Sequence, residues 1–140
     1  FDADGQHRAI DAFRLLEKIE EQDITMVIGT RFKKKESIRE IPLKKRIFLR
    51  IATVIENLIT GMKNTDSHNG LRVIKRDFAE TIELNNFRMA HSTEILSLAS
   101  KSGISLKEYP VIIKYNHDGQ SLIGSITILS DLFLSFLFRK

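Results

Sequence analysis

The chain has 140 residues, of which 42% are hydrophobic and 29% are charged, with a net charge of +4 and no cysteine. This composition predicts one folded domain with a hydrophobic core and argues against a disordered chain, and the lack of cysteine excludes a disulfide framework and a thiolate metal site. Much of the positive charge is local, because residues 31–50 contain nine lysines and arginines against two glutamates. Such a cluster attracts phosphates, anionic lipid headgroups or nucleic acid, and nucleic acid ranks last because no RNA-binding signature with interleaved aromatic residues accompanies it.

Two carboxylates, Asp2 and Asp4, lie one residue apart directly before a helical segment. In an extended chain the side chains at positions i and i+2 point the same way, so these two can converge on one hard cation. Mg²⁺ or Mn²⁺ prefers oxygen ligands and keeps positions open for substrate phosphates. The same residues are also typical of a polar turn that caps the next helix.

The periodicity of residues 7–22 predicts an amphipathic helix that keeps Asp11 and other charged residues outside. Its apolar residues recur at helical spacing: Ile10, Phe13, Leu16 and Ile19. The β-branched run at residues 24–28 then predicts a buried strand that Gly29 closes. In α/β sheets, ligands collect at the carboxyl ends of strands, and the Asp pair is expected at such an end, which favours the metal interpretation.

Residues 32–41 are predicted to form a charged loop, after which Pro42 opens a second helix that Gly61 ends. The apolar residues of this helix share one stripe: Leu43, Ile47, Ile51, Val54 and Leu58. The basic residues near its start fit a solvated face and a membrane surface equally well.

The turn-rich stretch 64–70 precedes a predicted strand at 71–75, a short helix at 77–84 and a helix from His91 or Ser92 to Lys101. Residues 106–116 predict a strand that Pro110 interrupts, hence an edge strand or a bulge. In the turn-rich stretch, His68 is a candidate metal ligand, although a lone histidine is more often a surface or hydrogen-bonding residue.

The segment 122–138 is nearly all apolar, but Asp131 opposes insertion into a membrane and the segment is short for a span. A helix that lies on a membrane or packs on a partner is favoured, and a plain core helix remains an alternative.

Several short motifs follow one another along the chain. They are Asp-Ala-Asp at 2–4, Gly-Thr-Arg at 29–31, Asp-Ser-His-Asn-Gly-Leu-Arg at 66–72, Glu94, Glu-Tyr-Pro-Val at 108–111 and Gly-Gln-Ser at 119–121. In this order they resemble the C-terminal portion of a family 2 glycosyltransferase of the GT-A fold, close to the polyprenyl- and dolichyl-phosphate sugar transferases. Thr30 stands where that family's strand end has Ser.

The resemblance implies an α/β fold: residues 1–121 as a partial GT-A, Rossmann-like mixed sheet flanked by helices, and residues 122–140 as an apolar amphipathic helix facing a membrane or partner. The family's nucleotide-binding βαβ half precedes the Asp-x-Asp segment and is not among these residues. We therefore expect the chain to be inactive alone, and its sheet to have an exposed edge that invites self-association.

The implied reaction is metal-dependent, inverting transfer of a sugar from a nucleotide-sugar donor to a polyprenyl phosphate or a glycan. The implied site residues are Asp2, Asp4 and Gln6 for Mg²⁺ or Mn²⁺; Arg31, Lys33, Lys34 and Arg72 for phosphates; and Asp66 and Glu94 for catalysis. The cation neutralises the diphosphate leaving group, and the basic residues neutralise a phosphate acceptor. A hydroxyl acceptor needs a general base, for which the resemblance implies Asp66 or Glu94; Glu94 fits that role and a simple helix-start charge equally well.

We expect a cytoplasmic protein, peripheral to an anionic membrane surface, with no nucleic-acid partner. The alternative function is a non-catalytic module that binds a membrane surface or another protein through the basic loop and the apolar C-terminal helix.

Overall fold

The computed structural model of the protein describes residues 6–83 and 90–113. Its helices are α1 (Ala9–Glu21), α2 (Lys35–Glu40), α3 (Leu43–Thr60), α4 (Arg76–Ala79) and α5 (Ala90–Lys101). Its strands are β1 (Met26–Thr30), β2 (Arg72–Ile74) and β3 (Leu106–Pro110). The predicted Asp2–Asp4 segment and the apolar segment 122–140 lie outside the described residues.

The three described strands form one mixed sheet in the order β2-β1-β3, flanked by helices. Strand β2 is antiparallel to β1, with Ile74 opposite Met26, whereas β3 is parallel to β1, with Pro110 opposite Thr30. The predicted mixed α/β architecture is confirmed for this part of the chain. Pro110 is the last residue of β3, at an edge of the described sheet, where a residue without an N–H is tolerated.

Strand β1 is buried on both faces because helices pack on each side of it. Successive side chains of a strand point to opposite faces. Val27 therefore packs with Leu15 of α1, and Ile28 packs on the other face with Leu96 of α5. The β-branched run predicted a buried strand here correctly, but Gly29 lies inside β1 and does not close it as predicted.

The buried face of α1 differs from the predicted one. Ile10, Phe13 and Leu16 are 50%, 63% and 44% exposed, whereas Leu15 and Ile19 are buried against the sheet. Two overlapping apolar stripes run along this helix, and the periodicity alone does not say which one faces the core. Of the predicted buried stripe, only Ile19 is in the core.

Asp11 was predicted to face out, but its carboxylate is buried between α1 and the chain after β3. Arg8 donates to it through Nε at 2.9 Å and Nη2 at 2.8 Å, and the main-chain N–H of Ile112 donates at 3.3 Å. Burial alone raises the pKa of Asp11, but these hydrogen bonds and the charges of Arg8 and Arg14 outweigh it and lower the pKa. The carboxylate thus ties α1 to the end of β3.

Residues 35–40, predicted as part of a charged loop, form the short helix α2. The Ser37 hydroxyl donates to the carbonyl oxygen of Val111 at 2.9 Å, and Ile38 packs on a small cluster that contains Phe32 and Leu49. Tertiary contacts of one serine and one isoleucine therefore stabilise a segment whose charge content hides its periodicity.

Helix α3 packs against α5 and ends as predicted at Gly61, which has φ +73° and donates its N–H to the Asn57 carbonyl oxygen at 2.9 Å. Helix α4 is shorter than the predicted 77–84, because the Thr81 hydroxyl and N–H both bond the carbonyl oxygen of Phe78 and turn the chain. Within residues 6–83 and 90–113, no helix is long and apolar enough to cross a membrane.

Candidate functional site

A polar loop, residues 64–70, lies across the carboxyl end of β1. The Thr65 and Thr30 hydroxyl oxygens are 2.8 Å apart, and the N–H of Gly29 donates to the Leu71 carbonyl oxygen at 2.9 Å. Most of the loop's polar side chains are buried: Asn64, Asp66, Ser67 and Asn69. Because ligands of α/β proteins bind at the carboxyl ends of strands, this loop marks the candidate site.

Arg31 and Asp66 form a buried ion pair at the centre of the site, with side-chain exposures of 7% and 0%. The Asp66 carboxylate accepts the main-chain N–H of Arg31 at 2.9 Å, Nε at 2.6 Å and Nη2 at 2.5 Å. This bidentate geometry fixes the loop to the strand end. The predicted phosphate ligand and the predicted base thus contact each other, and their roles toward a substrate stay predictions.

Glu108 of β3 supports the same loop from the other side. Its Oε1 accepts the N–H groups of Thr65 at 2.7 Å and Asp66 at 3.1 Å, and its Oε2 accepts the Thr65 hydroxyl at 2.8 Å. Lys33 Nζ lies 3.3 Å from Oε2, and the Lys33 side chain is 43% exposed. Among the predicted phosphate ligands, Lys33 therefore offers its charge to solvent at the rim of the site.

Arg72 joins the loop to α5. Its Nη2 donates to the Ser67 carbonyl oxygen at 2.7 Å, its Nε donates to that of Asn69 at 3.3 Å and its Nη1 donates to that of Ser92 at 3.2 Å. Nη2 also bonds the Ser92 hydroxyl. The predicted phosphate ligand Arg72 is therefore a cross-link between the loop and the helix, and a phosphate role stays a prediction.

Below the loop, Glu56 of α3 faces His68, and their side chains are 0% and 3% exposed. Glu56 Oε2 and His68 Nε2 are 3.2 Å apart, but neither atom has a hydrogen-bond partner of good geometry among the described residues. Burial lowers the pKa of His68, and the nearby carboxylates of Glu56 and Asp66 oppose this only in part. The His68 imidazole is thus buried and its neutral form is favoured, and it is neither at the surface nor hydrogen-bonded among the described residues, the two roles that the sequence favoured for it.

Two further predicted residues lie next in sequence to elements that contact the loop. Lys34 is half-buried at the residue before α2, and Glu94 is half-buried in α5, two residues after the Arg72 partner Ser92. Each has the charge that its predicted role needs.

The predicted metal ligands are described only in part. Gln6 is half-buried and precedes His7, which forms an isolated antiparallel bridge with Ile113, beyond the end of β3. Asp2 and Asp4 lie outside the described residues, in which no group of three or more acidic or histidine side chains is arranged to hold a metal ion. Metal binding therefore stays a prediction.

An open depression of about 530 Å³ lies beside the loop. Its walls include Lys33, Lys63, Asn64, Glu108 and Tyr109. The depression gives solvent access to the basic rim of the site, where an anionic group can approach.

Two residues of the site, Glu108 and Glu56, were not predicted as functional. Glu108 was noted only as part of a motif, and Glu56 only as one position of a helix. The sequence signals for Glu108 are its place in the Glu-Tyr-Pro-Val motif and its unusual position, as a glutamate, inside a strand pattern. Its partners, Thr65 and Asp66, are 43 and 42 residues away in the chain, so only the fold reveals the contact.

Comparison with curated proteins finds distant relatives along most of the chain. An uncharacterised protein of Methanocaldococcus jannaschii is 33% identical over 99% of this chain and 59% of its own length. The UDP-N-acetylglucosamine–dolichyl-phosphate N-acetylglucosaminyltransferase of Methanococcus voltae is 27% identical over 100% of this chain and 57% of its own length. A low-salt glycan biosynthesis hexosyltransferase of Haloferax volcanii is 26% identical over 79% of this chain and 27% of its own length.

Two of these relatives carry the names of sugar transferases, so the chain has a distant glycosyltransferase relationship. The chain spans less than two thirds of the length of the curated relatives it matches. No family model matches, and no solved structure matches.

Proposed function

We propose that the protein containing this chain transfers a sugar from a nucleotide-sugar donor to a lipid phosphate or a glycan. The observation that carries the proposal is the Arg31–Asp66 pair, which fixes the loop of residues 64–70 at the carboxyl end of β1, in a chain related to sugar transferases. A loop held at that edge is where an α/β protein positions a ligand. A GT-A arrangement of family 2 is part of the proposal.

The proposed donor leaves behind a nucleoside diphosphate, whose developing negative charge needs a cation. We assign Asp2, Asp4 and Gln6 as oxygen ligands of Mg²⁺ or Mn²⁺. The His7–Ile113 bridge supports this assignment. Val111 donates its N–H to the Thr30 carbonyl oxygen at 3.0 Å, so the chain at residues 111–113 lies near the carboxyl end of β1. The bridge brings His7, just before α1, to the same chain segment. When bound, the cation supplies Lewis-acid stabilisation of the leaving group.

The proposed acceptor contacts the basic rim. Lys33 and Lys34 precede α2 and supply charge for a phosphate, whereas Arg31 and Arg72 act by holding the loop. A lipid phosphate is already an anion and needs little deprotonation. A glycan hydroxyl needs a base, and Glu94 is then the better placed of the two candidates because Asp66 is buried against Arg31.

The test uses the complete protein that contains this chain, with Mn²⁺ or Mg²⁺ and a nucleoside diphosphate. Binding at about 100 times the Kd raises the unfolding temperature by about 5–10 °C, because the ligand binds only the folded state. Asp4→Ala is expected to abolish the metal-dependent part of the rise. Asp77→Ala, on the exposed side of α4, is the matched control and leaves the rise unchanged.

Absence of a rise with every common nucleoside diphosphate contradicts the proposal, as does an undiminished rise in Asp4→Ala. A positive result is followed by transfer of a labelled sugar to a polyprenyl phosphate or to a glycan. The product separates the two acceptors, and the configuration of its anomeric carbon tests the inverting mechanism.

A further inference from the structure

Helix α3 exposes a continuous apolar stripe that the described fold does not use. The stripe consists of Leu43, Ile47, Ile51, Val54 and Leu58, which are 50–78% exposed. At 3.6 residues per turn these positions fall within about 80° of the helix circumference and extend over about 22 Å. The opposite face of the helix supplies the core residues, such as Leu49 and Ile59.

An exposed stripe of this size is uncommon on the surface of a monomeric protein, and it indicates an interaction site. Each of its residues is aliphatic, and each is spaced by three or four positions from the next. The exposed stripe is therefore a property of the helix as a unit, not of one stray side chain.

Basic side chains line both borders of the stripe. Lys44 lies on one border and Arg50 on the other, and both are exposed. The Arg50 guanidinium stacks over the ring of Phe32, 4.2 Å from its centroid, which holds the charge close to the helix surface. The neighbouring α2 exposes Lys35 and Arg39 together with Glu36 and Glu40, so the basic character of this surface comes from α3.

No negative charge offsets this surface along the helix. Glu56 is the one acidic residue of α3, and it is buried on the opposite face. An aliphatic stripe bordered by lysine and arginine, without exposed acid, is typical of a helix that lies in the headgroup region of an anionic membrane.

We propose that α3 docks on an anionic bilayer, with the stripe at the boundary between headgroups and acyl chains and with Lys44 and Arg50 against lipid phosphates. A second copy of the chain is a poorer occupant, because pairing two such helices brings two basic surfaces together without an exposed acid on either helix. The inference does not require sugar transfer, and it assigns a surface that the proposed catalytic site does not include.

The test measures co-sedimentation of the 140-residue chain with phosphatidylcholine vesicles that contain about 30% phosphatidylglycerol. The triple variant Ile47→Gln, Ile51→Gln and Val54→Gln removes the centre of the stripe at exposed positions of the helix. We expect its partition onto vesicles to fall by about tenfold or more. Circular dichroism and the unfolding temperature check that the variant remains folded.

The matched control replaces the exposed apolar residues of α1, by Ile10→Gln, Phe13→Gln and Leu16→Gln. This face carries acidic rather than basic neighbours, such as Glu17 and Glu20, so we expect vesicle binding to stay unchanged. The double variant Lys35→Gln with Lys44→Gln is expected to weaken vesicle binding in part, because it removes charge but leaves the apolar stripe intact. About 0.5 M NaCl is expected to have the same effect by screening the charges.

Three outcomes overturn the inference. The first is a wild-type chain that does not bind these vesicles. The second is full binding by the stripe variant, which assigns the membrane contact to another segment. The third is a concentration-dependent dimer that the stripe variant abolishes, which makes the stripe an interface between copies. None of these outcomes bears on nucleotide binding, so the proposed transferase function is tested separately.

Discussion

Asp66 accepts the main-chain N–H and two guanidinium nitrogens of Arg31, so one carboxylate fixes both the backbone and the side chain of the residue that follows β1. The loop that carries Asp66 is therefore positioned before any ligand arrives. Glu108 and Arg72 hold the same loop from two further directions. Preorganised groups at a strand end are what a site for charged ligands requires.

Asp66→Asn is expected to lower the free energy of unfolding by about 3–5 kcal/mol, because it leaves the Arg31 charge buried without its counter-charge. Urea unfolding followed by circular dichroism measures the change. In an Arg31→Met background the same substitution should have a smaller effect. The difference between the two losses of stability is the coupling energy of the pair. Equal effects in both backgrounds contradict a direct stabilising pair.

Glu108→Ala is expected to destabilise the protein by about 2–3 kcal/mol, because three donors of Thr65 and Asp66 lose their acceptor. Glu108→Gln should retain most of the stability, since its amide group still has an acceptor oxygen. Lys33→Gln is the control for the charge, and its half-exposed ion pair contributes at most about 1 kcal/mol. A large loss in Lys33→Gln indicates that the ion pair, not the hydrogen bonds, holds the loop.

Features set by local sequence were predicted well, and features set by distant contacts were not. The β-branched run of β1 and the Gly61 helix end were predicted because each has a local physical cause. The face of α1 was wrong, because burial of Asp11 depends on the N–H of Ile112, about a hundred residues later in the chain. The role of Glu108 could not be predicted for the same reason.

Gly29→Ala is expected to lower the free energy of unfolding by about 1–3 kcal/mol. A Cβ at this position meets both methyl groups of Val111 at 3.0 Å and the Asn69 amide nitrogen at 3.3 Å. Val111 cannot move away freely, because its N–H and carbonyl oxygen are bonded to Thr30 and Ser37. Thermal and urea unfolding measure the loss.

The companion variant Gly29→Ala with Val111→Ala separates crowding from other causes. Removing the two Val111 methyl groups makes room for the new Cβ, so Gly29→Ala should destabilise the Val111→Ala protein less than the wild type. Additive losses contradict the crowding explanation.

Because His68 is buried, we expect the free energy of unfolding to decrease as the pH drops below the ordinary pKa of histidine, about 6.5. Burial lowers the pKa of His68 in the folded protein, so between the folded and unfolded pKa values only the unfolded chain binds a proton at this residue. The stability is complete above about pH 6.5, and it falls by at most about 1.4 kcal/mol per pH unit until the folded pKa is passed. Urea unfolding at a series of pH values measures the slope.

His68→Gln keeps a polar side chain of similar size but does not titrate, so the loss of stability on acidification should become shallower. Glu56→Gln should instead extend the pH range over which stability is lost. The Glu56 carboxylate favours a protonated His68, so its removal lowers the pKa of His68 in the folded protein further. Titration of the His68 ring protons by NMR reads the folded pKa directly. A ring that titrates at or above the ordinary value contradicts a buried neutral imidazole beneath the loop.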